Sequence, residues 1–127
     1  MRTAERTPGR IRCGKRGEAD AARYLESKGH VVLERNFRAL RGELDLITRD
    51  GNVLVFVEVK SGASKRFGVP EGRVTGRKQR QIGKVALAYL TDRGLGDADC
   101  RFDVVCVTES GGRREIRHIE NAFWLEP

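Results

Sequence analysis

The chain has 127 residues and a mass of 14.2 kDa, room for one domain and not for two. Hydrophobic residues make up 39%, charged residues 34%, and there are only three prolines; this excludes a collagenous chain and wholesale disorder, because the apolar residues gather into core-forming runs. The longest such run, 53–57, is far too short to cross a bilayer, and Met1-Arg-Thr-Ala-Glu-Arg has no apolar signal segment behind it, so a soluble, cytoplasmic protein with no membrane partner is expected.

The formal net charge is +7, with a pI of about 9.8, and it is unevenly spread. Arg2, Arg6, Arg10, Arg12, Lys15 and Arg16 face Glu5 alone in the first sixteen residues. Lys60, Lys65, Arg66, Arg73, Arg77, Lys78, Arg80 and Lys84 face only Glu71 between 60 and 84. The rest of the chain is therefore net acidic. Concentrated basicity of this kind suits a polyanion-binding protein; the competing reading is a solvated basic surface. Three cysteines (Cys13, Cys100 and Cys106) form no CxxC pair, so no disulfide framework or zinc site follows, and Cys100 and Cys106 are expected to be buried thiols.

Residues 1–14 contain Pro8, Gly9 and Gly14 and lack apolar periodicity. They are expected to form a mobile basic tail, with residues 15–127 a single domain. A first helix is expected from Gly17, with Ala21, Ala22 and Leu25 on its apolar face and Gly29 as its stop. Glu18 falls on that inward face, which is unusual for a carboxylate. His30 to Phe37 reads as a strand. Glu43–Thr48 and Val53–Lys60 read as two more, joined at Asp50-Gly51, a strong hairpin signal. Residues 61–74 read as a Gly-rich basic loop. Thr75 is placed to cap a long helix to about Arg93, burying Ile82, Val85, Ala86, Tyr89 and Leu90. On its other side Arg77, Arg80 and Lys84 form a basic stripe; with Lys78 they are the residues expected to contact nucleic-acid phosphates. Gln79 and Gln81 lie near the same helix start. Arg101–Thr108 reads as a fourth strand and Glu115–Ile119 as a short fifth, with Trp124 anchoring the C-terminus in the core. The order is α-β-β-β-α-β-β, an α/β fold with a mixed central sheet flanked by helices.

The chemistry concentrates where two central strands turn charged. Along the third strand, Leu54, Phe56, Glu58 and Lys60 share a face; along the second, Glu43, Asp45 and Ile47 do. If Asp50-Gly51 forms the turn, Arg49 faces Asn52, and Asp45 and Glu58 become diagonal neighbours. A two-residue slip would set them directly opposite on the same face, and a one-residue slip would separate them. Two adjacent carboxylates repel unless a cation lies between them, and hard oxygen ligands with spare water positions suit Mg²⁺ or Mn²⁺. Lys60 points at the same place and could orient an attacking water or neutralise developing charge, so the chemistry implied is metal-assisted phosphodiester hydrolysis. The competing reading is a structural Glu58–Lys60 pair at a strand end.

Gly42-Glu-Leu-Asp-Leu-Ile, Val55-Phe-Val-Glu-Val-Lys and Arg101-Phe-Asp-Val-Val together resemble the YraN family of small bacterial proteins. That family is itself similar to archaeal Holliday-junction resolvases of the PD-(D/E)XK superfamily, with a restriction-endonuclease-like fold. The resemblance spans about 17–108. It implies a nuclease-like domain in which Asp45 and Glu58 are metal ligands, the Val59 carbonyl completes the ligand set, Lys60 is catalytic and Glu18 is the helical acid of the pattern. A helix-capping role for Glu18 is equally natural. Leu44 stands where the superfamily's proline would be. The function implied is a Mg²⁺- or Mn²⁺-dependent endonuclease acting on structured DNA, favoured over RNA, as a homodimer. The alternative is a non-catalytic nucleic-acid-binding or interaction module that retains the fold.

Overall fold

The computed structural model of the chain describes residues 8–63 and 74–123. The elements run α1 (Pro8–Ser27), β1 (Val31–Ala39), β2 (Gly42–Asp50), β3 (Val53–Ala63), α2 (Gly76–Asp92), β4 (Asp99–Ser110) and β5 (Arg113–Phe123). The five strands form one mixed sheet in the order β1-β2-β3-β4-β5. Neighbours pair antiparallel except β3 and β4, which are parallel and joined through α2. The α/β class and the α-β-β-β-α-β-β order are thus those expected.

Each face of the sheet carries one helix. On one face Leu54, Phe56, Val104 and Cys106 pack against Ile82, Val85, Ala86 and Tyr89 of α2. On the other, Val55, Val57, Val105 and Val107 pack against Ala21, Ala22 and Leu25 of α1. Strand alternation through β3 and β4 feeds both cores at once, which is why these segments are apolar on both sides. Each fully buried aliphatic or aromatic side chain contributes about 1.5–3 kcal/mol.

Several boundaries differ from those expected. The first helix starts at Pro8 rather than Gly17, since proline's fixed φ and missing N–H suit the first helical position. Of the segment expected to be a mobile basic tail, residues 8–14 are therefore helical and residues 1–7 lie outside the described residues. The basic loop between β3 and α2 (residues 64–73) and Trp124 also lie outside them. Strand β5 is much longer than 115–119, because it is a sheet edge whose half-exposed pattern is charged rather than apolar. Cys106 is buried as expected, but Cys100 is exposed. It sits at the entry to β4, outside the cover of either helix, with its thiol donating to the Ala98 carbonyl. At the start of α2, Thr75 accepts from the Lys78 amide as an N-cap.

The β2–β3 register is shifted by two residues from the one drawn through Asp50-Gly51. Asp50 pairs with Val53 and Ile47 with Phe56, so the two turn residues are Gly51 and Asn52. Gly51 takes a positive φ of 63°, matching a hairpin turn with glycine at its first central position. A two-residue shift keeps every side chain on its face, so hydrophobic alternation cannot distinguish the two registers.

Candidate active site

Hydrogen-bonded pairing of β2 with β3 extends from the hairpin to Leu46 opposite Val57. Immediately beyond it, the Val59 amide donates to Asp45 Oδ2 at 2.7 Å. A side-chain carboxylate thus takes over a backbone donor at the end of the ladder, and this holds Asp45 toward β3. With the observed register, Glu58 follows Val57 just as Asp45 precedes Leu46, so the two carboxylates meet across the strands.

Their electrostatics follow from that contact. Burial, together with the charge of Asp45, pushes the Glu58 pKa up to about 7, against the opposing pull of Lys78 and Lys60. Burial also raises Asp45, aided by the nearby charge of Glu43 and opposed by the Val59 amide and Lys78. The pair is therefore short of compensating positive charge near neutral pH. Lys78 Nζ lies 3.6 Å from Glu58 Oε2. Although expected on the outer, phosphate-facing side of α2, Lys78 reaches inward from the first turn of the helix to the carboxylate pair.

Glu18 is tied to β2 through Asn36 and Glu43, and the charge of Glu43 is felt in turn by Asp45. With the Asn36 amide nitrogen facing the carboxylates, it donates to Glu18 Oε1 at 3.1 Å and to Glu43 Oε2 at 3.0 Å. Asn36 adopts a left-handed φ of 53°. Opposite it, alternation in β2 breaks around Asp45: Leu44 and Ile47 both enter the α2-side core, while Leu46 enters the α1-side core. Glu43 and Asp45 consequently do not continue one regular face with Ile47. Asn36 gives no periodic signal in the sequence; it is simply the one asparagine of β1.

Arg77, Arg80 and Lys84 are exposed along α2. The two glutamines beside them are structural contacts: Gln79 donates to the Val74 carbonyl and Gln81 to the Leu40 carbonyl. Among the described residues, no group of three or more His, Cys, Asp or Glu side chains is gathered as a metal cluster.

On the opposite face of the sheet lies a buried polar network that sequence patterning did not reveal. Asp103, 0% exposed, accepts from Arg101 Nε at 3.0 Å, from His118 Nε2 at 2.7 Å and from the Asn121 amide at 3.1 Å. Arg101 also donates to Asp50 Oδ2 at 3.1 Å. Lys28 Nζ, which can only donate, lies 2.9 Å from His118 Nδ1, so the His118 proton sits on Nε2. Burial opposes ionisation of Asp103, but these hydrogen bonds outweigh it and hold its pKa below the ordinary value. Buried His30 lies 2.8 Å from the Thr48 hydroxyl, and burial lowers its pKa. Each of these polar groups has a protein partner, so the network ties β2, β4 and β5 to Lys28, just beyond the end of α1.

A mixed five-stranded sheet with a helix on each face and a coupled acidic pair where two central strands part defines a small α/β protein with a carboxylate site at a strand end. The family model described as uncharacterised protein family UPF0102 matches residues 17–107, and the chain belongs to that family, the YraN family of the sequence resemblance. It is 50% identical over 113 residues to a UPF0102 protein of Geobacter sulfurreducens, covering 88% of each chain. It is 49% identical over 112 residues to one of Geobacter metallireducens, covering 88% of this chain and 92% of the relative. A Geotalea uraniireducens relative is 44% identical over 126 residues, 98% of each. No helix among the described residues is long and apolar enough to cross a membrane.

Proposed function

We propose that this protein is a Mg²⁺- or Mn²⁺-dependent endonuclease that hydrolyses phosphodiesters in structured DNA. The observation that carries the reading is the Asp45–Glu58 pair, two hard oxygen donors held together and half-buried, with Glu58 pushed up to about 7. A divalent cation would neutralise both carboxylates, whose charge Lys78 and Lys60 offset only in part. Mg²⁺ is commonly held by only one or two carboxylates, its other positions going to water and substrate phosphate; a third acidic ligand is not required. The donor set therefore fits, with Asp45, Glu58 and the Val59 carbonyl as ligands.

The ion, when bound, supplies charge neutralisation at the scissile phosphate. The chain's own groups do the rest. The Val59 amide fixes one Asp45 oxygen, leaving the other for the ion. Lys60, two residues beyond Glu58 on the same strand face, stabilises negative charge on the phosphate as it develops. Lys78 partners Glu58 in the ion-free chain; an ion on the carboxylates would leave it available to the substrate phosphate. Glu18, joined to Glu43 through Asn36, takes a positioning role that holds β1 and β2 in the local shape that aims Asp45. Arg77, Arg80 and Lys84 track the backbone with no demand on sequence.

The test is a cleavage panel of duplex, single-stranded, flap and four-way-junction DNA, with RNA counterparts, in Mn²⁺, Mg²⁺ or EDTA. Metal-dependent scission of branched DNA is the expected result. Binding without scission of any substrate would instead make the chain a nucleic-acid-binding module, in which Lys78 permanently satisfies Glu58.

A further inference from the structure

The β1–β2 connection is a two-residue turn between paired Ala39 and Gly42, and its residues, Leu40 and Arg41, both have positive φ, 50° and 64°. Hairpin turns of this shape favour Asn-Gly or Gly-Gly, because a Cβ crowds the backbone there. This chain instead places a leucine at the tip, 65% exposed, followed by an exposed arginine. Neither strain nor exposure is relieved by a core contact. A lone exposed leucine is ordinary; one held in a strained turn is not, since such strain gathers at ligand-clamping positions.

The tip is braced rather than loose. Gln81 donates to the Leu40 carbonyl at 3.4 Å. Gly42 approaches α2 so closely that a Cβ would stand 2.3 Å from Gln81 Nε2 and 2.6 Å from Val85 Cγ2. On α2, exposed Arg77 and Lys84 lie one helical turn to either side of Gln81, on its face. The turn opens β2, so Asp45 lies only about 10 Å along the strand from Gly42. An apolar tip flanked by cations therefore stands at the end of β2 nearer to Asp45.

We propose that Leu40 is a wedge that enters the base stack of branched duplex DNA next to the scissile phosphate, with Arg41 on the adjoining backbone. Apolar side chains inserted between base steps unstack and kink a duplex, and a kink at a branch would present one strand to Asp45 and Glu58. The inference rests on the nuclease reading and names how that site selects opened duplexes.

The experiment uses Glu58→Gln protein in EDTA, so that no cleavage intervenes, and junction or flap DNA carrying 2-aminopurine at successive positions beside the branch. Anisotropy reads binding and 2-aminopurine emission reads unstacking. Emission should rise at one branch-proximal step. Leu40→Ala in the same background should abolish the rise while weakening binding only about threefold, since backbone contacts carry most of the affinity. Replacing Leu40 by Asn together with Arg41 by Gly should also abolish it and raise the unfolding midpoint by about 5 °C through relief of strain. DNA bound with no rise, or a rise that survives Leu40→Ala, overturns the wedge and leaves the nuclease reading standing. A lowered midpoint in the double variant overturns the claim that the turn is strained. Failure to bind any DNA overturns both the wedge and the reading beneath it.

Discussion

Asp45 Oδ2 accepts a hydrogen bond from the Val59 amide at 2.7 Å, next to the last paired residues of β2 and β3. One carboxylate oxygen is thereby spent on holding the strand end, and Asp45 is fixed against Glu58 before any ligand arrives. The roles of the neighbouring residues can be separated on this basis.

Asp45→Asn and Glu58→Gln remove the anionic oxygens that a hard cation requires, so each should abolish Mn²⁺ binding and cleavage. Both should fold, because an amide oxygen at position 45 still accepts from Val59 and the repulsion between the carboxylates has gone. Lys60→Ala leaves the oxygens in place and should keep Mn²⁺ binding while losing cleavage. Calorimetric Mn²⁺ titration of the wild type and three variants decides this. Equal loss of metal in Lys60→Ala and Asp45→Asn would show that the division of roles is wrong.

A pH dependence follows from Glu58. Its folded pKa, about 7, lies above the ordinary value of 4.5, so the folded protein binds more protons than the unfolded chain between those limits. Stability from this group must then fall as pH rises from 4.5 to 7, by up to ~3 kcal/mol, and level off above. His30, lowered by burial, pulls the other way below 6.5, so the contribution is best isolated by difference. In EDTA, Glu58→Gln should gain stability relative to wild type as pH rises across the window, measured by urea unfolding at four pH values. A pH-independent difference would mean that folding does not raise the Glu58 carboxyl.

Binding to DNA should depend steeply on salt. With about five phosphate contacts the slope of log K against log salt would be near −4.5. Changing Arg77, Arg80 and Lys84 together to Ala should flatten it by up to about three contacts, since all three are exposed. An unchanged slope would remove α2 as the backbone-tracking surface.

Asp103→Ala should damage stability rather than chemistry. The substitution strips partners from Arg101, His118 and the Asn121 amide, and breaking a buried charge network costs about 3–5 kcal/mol. The denaturation midpoint should fall sharply, while the Mn²⁺ affinity of the remaining folded fraction stays at the wild-type value. A loss of affinity with stability intact would transfer Asp103 to the site.

The sequence alone determined the element order, the two helix faces and the strand face that carries Glu58 and Lys60. These rest on periodicity, and burying Leu54, Phe56, Ile82 and Val85 leaves little choice of face. Thr75 as a cap was legible for the same local reason, a hydroxyl three residues before an orphan amide. What depends on two distant segments meeting was left to the tertiary structure. The hairpin register is one case, because shifts of two residues preserve every face and only the turn at Gly51-Asn52 separates them. The inward reach of Lys78 to Glu58, the Asn36 link from Glu43 to Glu18 and the Asp103 network are others. Each joins side chains from different elements through hydrogen bonds or charge, and such contacts leave no period in the sequence to read.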